Sequence, residues 1–239
     1  MDLKKIIKKV FRFDNSPIQK KYRNYKDRKR RNSKKKLMDS VGEEMLIKLF
    51  ETAKECNISI WLEFGTLLGA YRNNNFISYD LDIDTGMYAC DYSLRFEDEL
   101  LDKGFKKRRS FYQRNVATDD YFLTEVTFDY SGFSVDIFLS FKNKDDNRSV
   151  YVYGFESKEF SQKNMYNVRK YDFPLVDNLE KVRIRGTEFN SPNNPENTLK
   201  IIYGDNFMIP DPSWDTTKSR LNVSVFSIEE RYANKKGYW

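Results

Sequence analysis

The sequence predicts an α+β protein: a mixed β-sheet core with helices packed on it, preceded by a basic N-terminal arm. Three observations carry this expectation. Short runs rich in β-branched and aromatic residues recur between residues 58 and 189, and such runs read as strands. Three other segments repeat their apolar residues at helical spacing or carry helix-end signals. The charge is also divided. Residues 1–36 hold 16 Lys and Arg against Asp2, Asp14 and Asp27, whereas the remainder holds 26 basic and 33 acidic residues. A strongly basic arm therefore precedes a mildly acidic body, which sets two expected units, 1–36 and 37–239.

In the arm, Leu3, Ile6, Ile7 and Val10 fall at i, i+3, i+4 and i+7, flanked by Lys4, Lys5, Lys8, Lys9 and Arg12. An apolar stripe edged by cations is the pattern of a helix lying on an anionic membrane surface. Ser16-Pro17 ends that pattern. Residues 20–36 are basic, with Tyr22 and Tyr25 interleaved and almost no apolar content, which predicts a linker. A solvated arm, a helix packed on the body, and nucleic-acid binding are the competing readings of residues 1–36.

In the body, Ser40 and Glu43 have capping-box spacing, and Met45, Leu46, Leu49, Phe50 and Ala53 follow at helical spacing. A helix is expected from Ser40. Residues 58–64 read as a strand, Gly65-Thr66 as a turn into the short segment 67–72, and Asn73, Asn74 and Asn75 as a loop. Residues 79–87 alternate in character and predict a strand with Asp80, Asp82 and Asp84 on one face and Leu81 on the other. A helix over 92–103 is closed by Gly104. Strands are expected at 105–112, 121–130, 133–141, 150–155 and 182–189. A last helix starts near Asn194, with Pro195 at its first position, and ends at Gly204.

The composition excludes some chemistry. There is no histidine, so Ser-His and Cys-His catalysis and histidine-bound zinc are out. Cys56 and Cys90 lack metal-ligand spacing and read as reduced thiols of a cytoplasmic protein. No apolar run approaches the roughly 20 residues that span a bilayer. At 39% hydrophobic and 16% aromatic residues, the chain has material for a substantial core. Acid–base or metal chemistry must rest on carboxylates, Lys, Tyr or Cys.

The informative stretch is Asp80, Asp82 and Asp84. Carboxylates gathered this closely raise one another's pKa, and a divalent cation such as Mg²⁺ relieves the repulsion. An exposed polar strand face is the plain alternative. Upstream, Phe64-Gly65-Thr66 is a turn in which backbone N–H groups can approach a phosphate. Downstream, Asp136 is a lone carboxylate in the apolar run Val135-Asp136-Ile137-Phe138. A buried Asp needs a partner, and a strand beside Asp82 and Asp84 would supply one. A glycine turn, a paired-acid strand and a third acid on another strand together resemble the nucleotidyltransferase fold, in which two metals activate an oxygen nucleophile and steady the leaving phosphate.

The run Gly65-Thr66-Leu67-Leu68-Gly69-Ala70-Tyr71-Arg72, followed by Asn75-Phe76-Ile77-Ser78-Tyr79-Asp80-Leu81-Asp82-Ile83-Asp84, resembles the signature of the LicD/fukutin phosphotransferases. Val135-Asp136-Ile137-Phe138 is similar to that family's second acidic strand, and Tyr203-Gly204 with Pro210 to its closing helix. The resemblance covers roughly residues 58–212. Asn75, Tyr79 and Leu81 stand where the family usually has Gly, Trp and Asp.

The resemblance implies transfer of a phospho-alcohol, such as phosphocholine or a polyol phosphate, from a CDP donor to a glycan or lipid-linked glycan acceptor, with release of CMP. Asp80, Asp82, Asp84 and Asp136 would hold Mg²⁺ or Mn²⁺, and Asp82, Asp84 and Asp136 would be catalytic. Asp136 is the expected proton acceptor for the acceptor hydroxyl. Gly65 and Thr66 would approach the donor phosphates, and Arg72 would neutralise their charge. Glu63 is either a strand residue or a nucleotide contact. The 16 Tyr and 19 Phe could supply a stacking face for cytosine or for a choline-like cation, without singling out a residue. Competing functions are a nucleotidyltransferase releasing pyrophosphate, an Asp-x-Asp glycosyltransferase and a basic nucleic-acid-binding protein. The acidic body weighs against the last. The expected location is cytoplasmic, peripheral on the inner membrane face.

Overall fold

The structure is a computed structural model. It describes residues 17–78, 80–144, 146–154, 164–211, 214, 223–227 and 229–238. The amphipathic stripe 3–10, Tyr79 and Phe155 therefore lie outside the described residues.

Helix α1 spans Pro17–Glu55 as one unbroken element of 39 residues, about 58 Å long at 1.5 Å per residue. This corrects two expectations. The helix does not start at Ser40, and residues 20–36 are helix rather than linker. The reason is local. Lys and Arg are good helix formers, Pro17 sits where a helix tolerates proline, and no later breaker intervenes before Gly42. The supposed capping box is used otherwise: Ser40 Oγ donates to Leu37 O at 3.0 Å, and Glu43 Oε1 accepts from Thr187 at 2.6 Å.

Strand β1 is only Ile60–Leu62, and helix α2, Phe64–Asn73, begins almost at once. Strand β2 is Ile83–Tyr88, followed by a 3₁₀ turn at Ala89–Asp91. It starts later than expected, so Asp80 and Asp82 precede it and only Asp84 lies within it. Asp80 instead closes a turn through its N–H to Ile77 O at 3.0 Å. Helix α3, Leu94–Asp102, is capped by Ser93 Oγ, which accepts from the Phe96 N–H at 3.2 Å. It is followed by Gly104 at φ +92°.

Strands β3 (Lys106–Asn115), β4 (Tyr121–Tyr130), β5 (Phe133–Lys142), β6 (Asn147–Gly154) and β7 (Met165–Pro174) follow. The single strand expected at 182–189 is a hairpin, β8 (Leu179–Ile184) and β9 (Thr187–Pro192). Arg185 at φ +52° and Gly186 at φ +96° make its turn; positive φ at both central residues marks the primed turns that suit hairpin twist. Helix α4 spans Pro195–Tyr203, with Asn194 as N-cap and Gly204 at its end, as expected. Strands β10 (Val223–Phe226) and β11 (Arg231–Gly237) complete the chain.

The fold is thus α+β with a mixed sheet, but the sheet closes on itself. Strands β5, β4, β3, β11, β7 and β6 form a ring of antiparallel pairs that returns to β5. Strand β2 joins β5 in parallel, β1 joins β2, and β10 hangs on β7. A closed six-stranded barrel is not what the expected nucleotidyltransferase-like sheet described. All six ring strands contribute to one apolar cluster, which includes Phe111, Phe122, Phe141, Tyr151, Tyr166 and Ala233. The opposite faces of β4 and β5 (Val126, Phe128, Val135, Ile137) pack on α1, α2 and α3 in the main core. Among the described residues, no helix is long and apolar enough to cross a membrane.

Candidate active site at the carboxylate row

Register places the expected acids side by side. Asp84 on β2 is the direct parallel partner of Asp136 on β5. Asp136 faces Thr127 on β4, and Thr127 faces Arg109 on β3. One cross-strand row therefore reads Asp84–Asp136–Thr127–Arg109, with strands roughly 4.8 Å apart. The apolar neighbours of Asp136, Val135 and Ile137, point into the main core, which is why the acid alone faces the polar side.

Asp136 is 5% exposed. Arg109 Nη2 donates to both its carboxylate oxygens, at 3.3 and 3.2 Å, and the Thr127 hydroxyl donates to Oδ1. Arg109 also lies 3.6 Å from Glu125 on the same face of β4. Burial pushes the Asp136 carboxyl up to about 6, with Asp82 adding to the rise and Arg109 opposing it. Burial and then Asp136 hold Glu125 well above the carboxylate range. Glu125, Arg109 and Thr127 were missed from sequence. Each is an ordinary strand residue whose role comes from register alone.

Residues 80–82 bring two more acids to Asp84. Burial pushes Asp80 up to about 7, with Asp82 adding to it. Asp82 is raised by burial, against Lys34 and Arg109. Asp84 is raised well above the usual range by burial, then by Asp82, Asp80 and Asp136, while the Gly65 backbone N–H opposes the rise. The N-terminus of α2 supports this cluster. The Thr66 hydroxyl is buried and accepts from the Asp84 N–H at 2.9 Å, so its side chain holds the acid strand. Gly65 is packed so closely that an added Cβ would overlap Asp80 Oδ2.

Beside the acids lies a cavity of about 610 Å³. Gly65, Asp80, Leu81 and Asp84 form its acidic side, and Phe64, Phe138, Tyr171, Tyr203, Phe207 and Trp214 its aromatic side. Tyr203 and Trp214 have ring centroids 4.6 Å apart, and Phe64 and Phe138 4.9 Å. Phe64 holds φ at +42°, a strained value for a bulky residue and a mark of functional sites. Leu81, expected to point away, lines the cavity, because residues 80–82 are not strand. Arg72 also lines it. Its guanidinium donates to Phe207 O at 3.4 Å, and its Nε is buried with no partner among the described residues.

Glu63 is placed elsewhere. It is fully buried, and both its oxygens accept from Arg148, at 3.0 and 3.1 Å. The Trp61 indole N–H donates to the same carboxylate at 2.7 Å. The pair fastens the start of α2 to β6 and does not line the cavity.

These carboxylates fit a cation in one respect: Asp80 and Asp84 are enclosed among like charges and, among the described residues, have no ion-pair partner. No three acids among the described residues already stand at coordinating positions.

A family model described as LicD/FKTN/FKRP, nucleotidyltransferase domain, matches residues 57–194. The chain belongs to this family. The match takes in Gly65, Arg72, Asp80, Asp82, Asp84 and Asp136, and leaves α4 and all of α1 outside. Human ribitol-5-phosphate transferase FKTN is 27% identical over 78% of this chain and 37% of its own length. An uncharacterized Caenorhabditis elegans protein is 28% identical over 81% of this chain and 51% of its own, and a Rickettsia typhi protein 26% identical over 57% and 43%. The chain spans about half the length, or less, of these relatives.

Proposed function

We propose that this chain transfers a phospho-alcohol, phosphocholine or a polyol phosphate, from a CDP-activated donor to a hydroxyl of a glycan, releasing CMP. The adjacency of Asp84 and Asp136 beside an aromatic-walled cavity carries this reading. The name of the FKTN relative, a ribitol-5-phosphate transferase, supports the phospho-alcohol class, and the family's description supports a nucleotidyltransferase-type site.

In this reading the aromatic wall around Tyr203 and Trp214 takes the cytosine ring, and Arg72 faces the diphosphate. Asp80, Asp82, Asp84 and Asp136 would hold Mg²⁺ or Mn²⁺, since hard divalent cations favour such oxygen donors. Bound there, the metal would neutralise phosphate charge and lower the pKa of an oxygen nucleophile. The acceptor oxygen forms its bond to the phosphorus next to the alcohol, and the bond to the CMP oxygen breaks. The acceptor proton would pass to Asp136, whose carboxylate accepts from Arg109 and Thr127. Thr66 and the Gly65 N–H keep Asp84 in position against its neighbours' repulsion. The exposed basic half of α1, with the arm before it, would bring the site to lipid-linked acceptors at an anionic membrane face.

The test is product analysis with CDP-ribitol, CDP-glycerol and CDP-choline, an acceptor glycan and Mg²⁺, using Asp84→Asn as control. CMP formation, lost in the variant, is the expected result. Pyrophosphate from CTP, with no CMP from any CDP-alcohol, would replace this reading with nucleotidyl transfer.

A further inference from the structure

Helix α1 carries its core-facing stripe past the end of the core. Arg31, Lys34, Met38, Val41 and Met45 are spaced by three and four residues in turn, so they share one helix face. Met38 and Met45 are buried in the main core, and Val41 packs against it. One step N-terminal, Lys34 Nζ donates to Leu81 O at 2.6 Å, fastening the segment between Asp80 and Asp82. One step further, Arg31 lines the cavity with Asp80, Leu81 and Arg72. Of the many cations of α1, Arg31 alone reaches the cavity among the described residues. It has no ion-pair partner among them, and neither has Arg72.

We infer that Arg31 is a phosphate-binding residue of this site, and that with Arg72 it grips the donor's diphosphate from two elements. Arg31 is exposed at the rim of the cavity, beside its acidic side, and an arginine whose fork is unpaired matches phosphate geometry bidentately. Lys34 is the positioning residue that keeps α1 against the acid segment. The inference rests on the nucleotide-donor reading only for the identity of the ligand; the phosphate site itself stands on the placement of Arg31.

The experiment measures binding of CDP, cytidine and inorganic pyrophosphate to the full chain by calorimetry with Mg²⁺, for the parent, Arg31→Gln, Arg31→Lys and Lys29→Gln. Lys29 lies about 200° round the helix from Arg31, so Lys29→Gln removes the same charge from the opposite face. Arg31→Gln is expected to weaken CDP and pyrophosphate about tenfold, to leave cytidine unchanged, and to be partly rescued by lysine. Lys29→Gln is expected to match the parent. Arg31-dependent pyrophosphate binding without CDP binding would keep the phosphate site and remove the nucleotide donor. Arg31→Gln behaving like Lys29→Gln, or a parent that binds neither anion, would overturn the inference.

Discussion

Removing the Arg148 guanidinium leaves the Glu63 carboxylate buried with, among the described residues, only the Trp61 N–H as side-chain partner. Both side chains are 0% exposed, at 3.0 Å. Arg148 also donates to Ser140 Oγ at 3.1 Å and lies over the rings of Trp61 and Phe173. Breaking a buried pair from one side costs about 3–5 kcal/mol, because the remaining charge has no water to turn to. At roughly 2–4 °C per kcal/mol for a chain of this size, Arg148→Met should lower the melting temperature by about 10 °C. The double variant Glu63→Gln, Arg148→Met removes both charges at similar volume and should recover most of that loss. Thermal and urea melts of the two singles and the double form the cycle. Because Glu63 holds the start of α2 and does not touch the cavity, the double variant should also keep its affinity for CDP. A loss under about 1 kcal/mol in Arg148→Met, or a double variant worse than either single, would refute the buried-pair argument. A folded double variant with a large loss of CDP affinity would restore Glu63 as a nucleotide contact.

Gly65→Ala places a Cβ against Asp80 Oδ2, so turnover should fall at least about tenfold, the effect of roughly 1.4 kcal/mol, while circular dichroism stays that of the parent; unchanged turnover would show that Asp80 moves freely. Asp136→Asn keeps the Oδ1 acceptor that Thr127 and Arg109 share but loses the second contact to Arg109 and the base, and should lower kcat about a hundredfold or more; a kcat close to that of the parent would remove Asp136 from the chemistry. For pH, Asp80 at about 7 and Asp136 at about 6 both lie above their ordinary 3.8. The folded chain then binds more protons than the unfolded one, so stability falls as pH rises from about 4 to about 7. In EDTA the melting temperature should be higher near about pH 5 than near about pH 7.5, and Mg²⁺ should reverse the loss at the higher pH; a curve that rises with pH would contradict the repulsion among these acids.

The legible parts of this fold are those whose signals are local. Asn194, Pro195 and Gly204 mark both ends of α4 within a dozen residues, and Gly104 marks the end of α3. Strand β4 runs over the expected residues because its aromatic and β-branched character is continuous. Strand β7 was not among the expected strands although Tyr166, Val168, Tyr171 and Phe173 recur in it between polar residues, and β11 has no such character: Arg231–Gly237 is mostly polar and becomes a strand because β3 and β7 supply hydrogen bonds on either side. The closure of the barrel depends on those two strands, so it was not legible either. At the site, Asp136 stood out as a charge in an apolar run, whereas Arg109 and Thr127 enter the row only through two antiparallel registers. Residues 20–36 look like a linker by composition, yet Arg31 and Lys34 continue the spacing of Met38 and Val41. The spacing was present in the sequence, and cations at those positions concealed it.

The distribution of countercharge around the acids has a direction. On the barrel side, Arg109 contacts Asp136 and Glu125, and Lys34 and Arg109 both act on Asp82. On the cavity side, among the described residues, Asp80 and Asp84 have only backbone N–H groups opposing their raised pKa values. The unbalanced negative charge therefore faces the cavity. A cation that relieves it must enter from there, where the aromatic wall and Arg72 also open. A ligand with a flat ring, a diphosphate and an accompanying cation would meet all three demands at once: stacking on the wall, anionic oxygens toward the arginines and positive charge toward Asp80 and Asp84. An uncharged sugar alone meets none of the electrostatic ones. In the proposed reading this polarity suits the nucleotide donor, and the acceptor hydroxyl would approach at the edge where Asp136 borders Asp84.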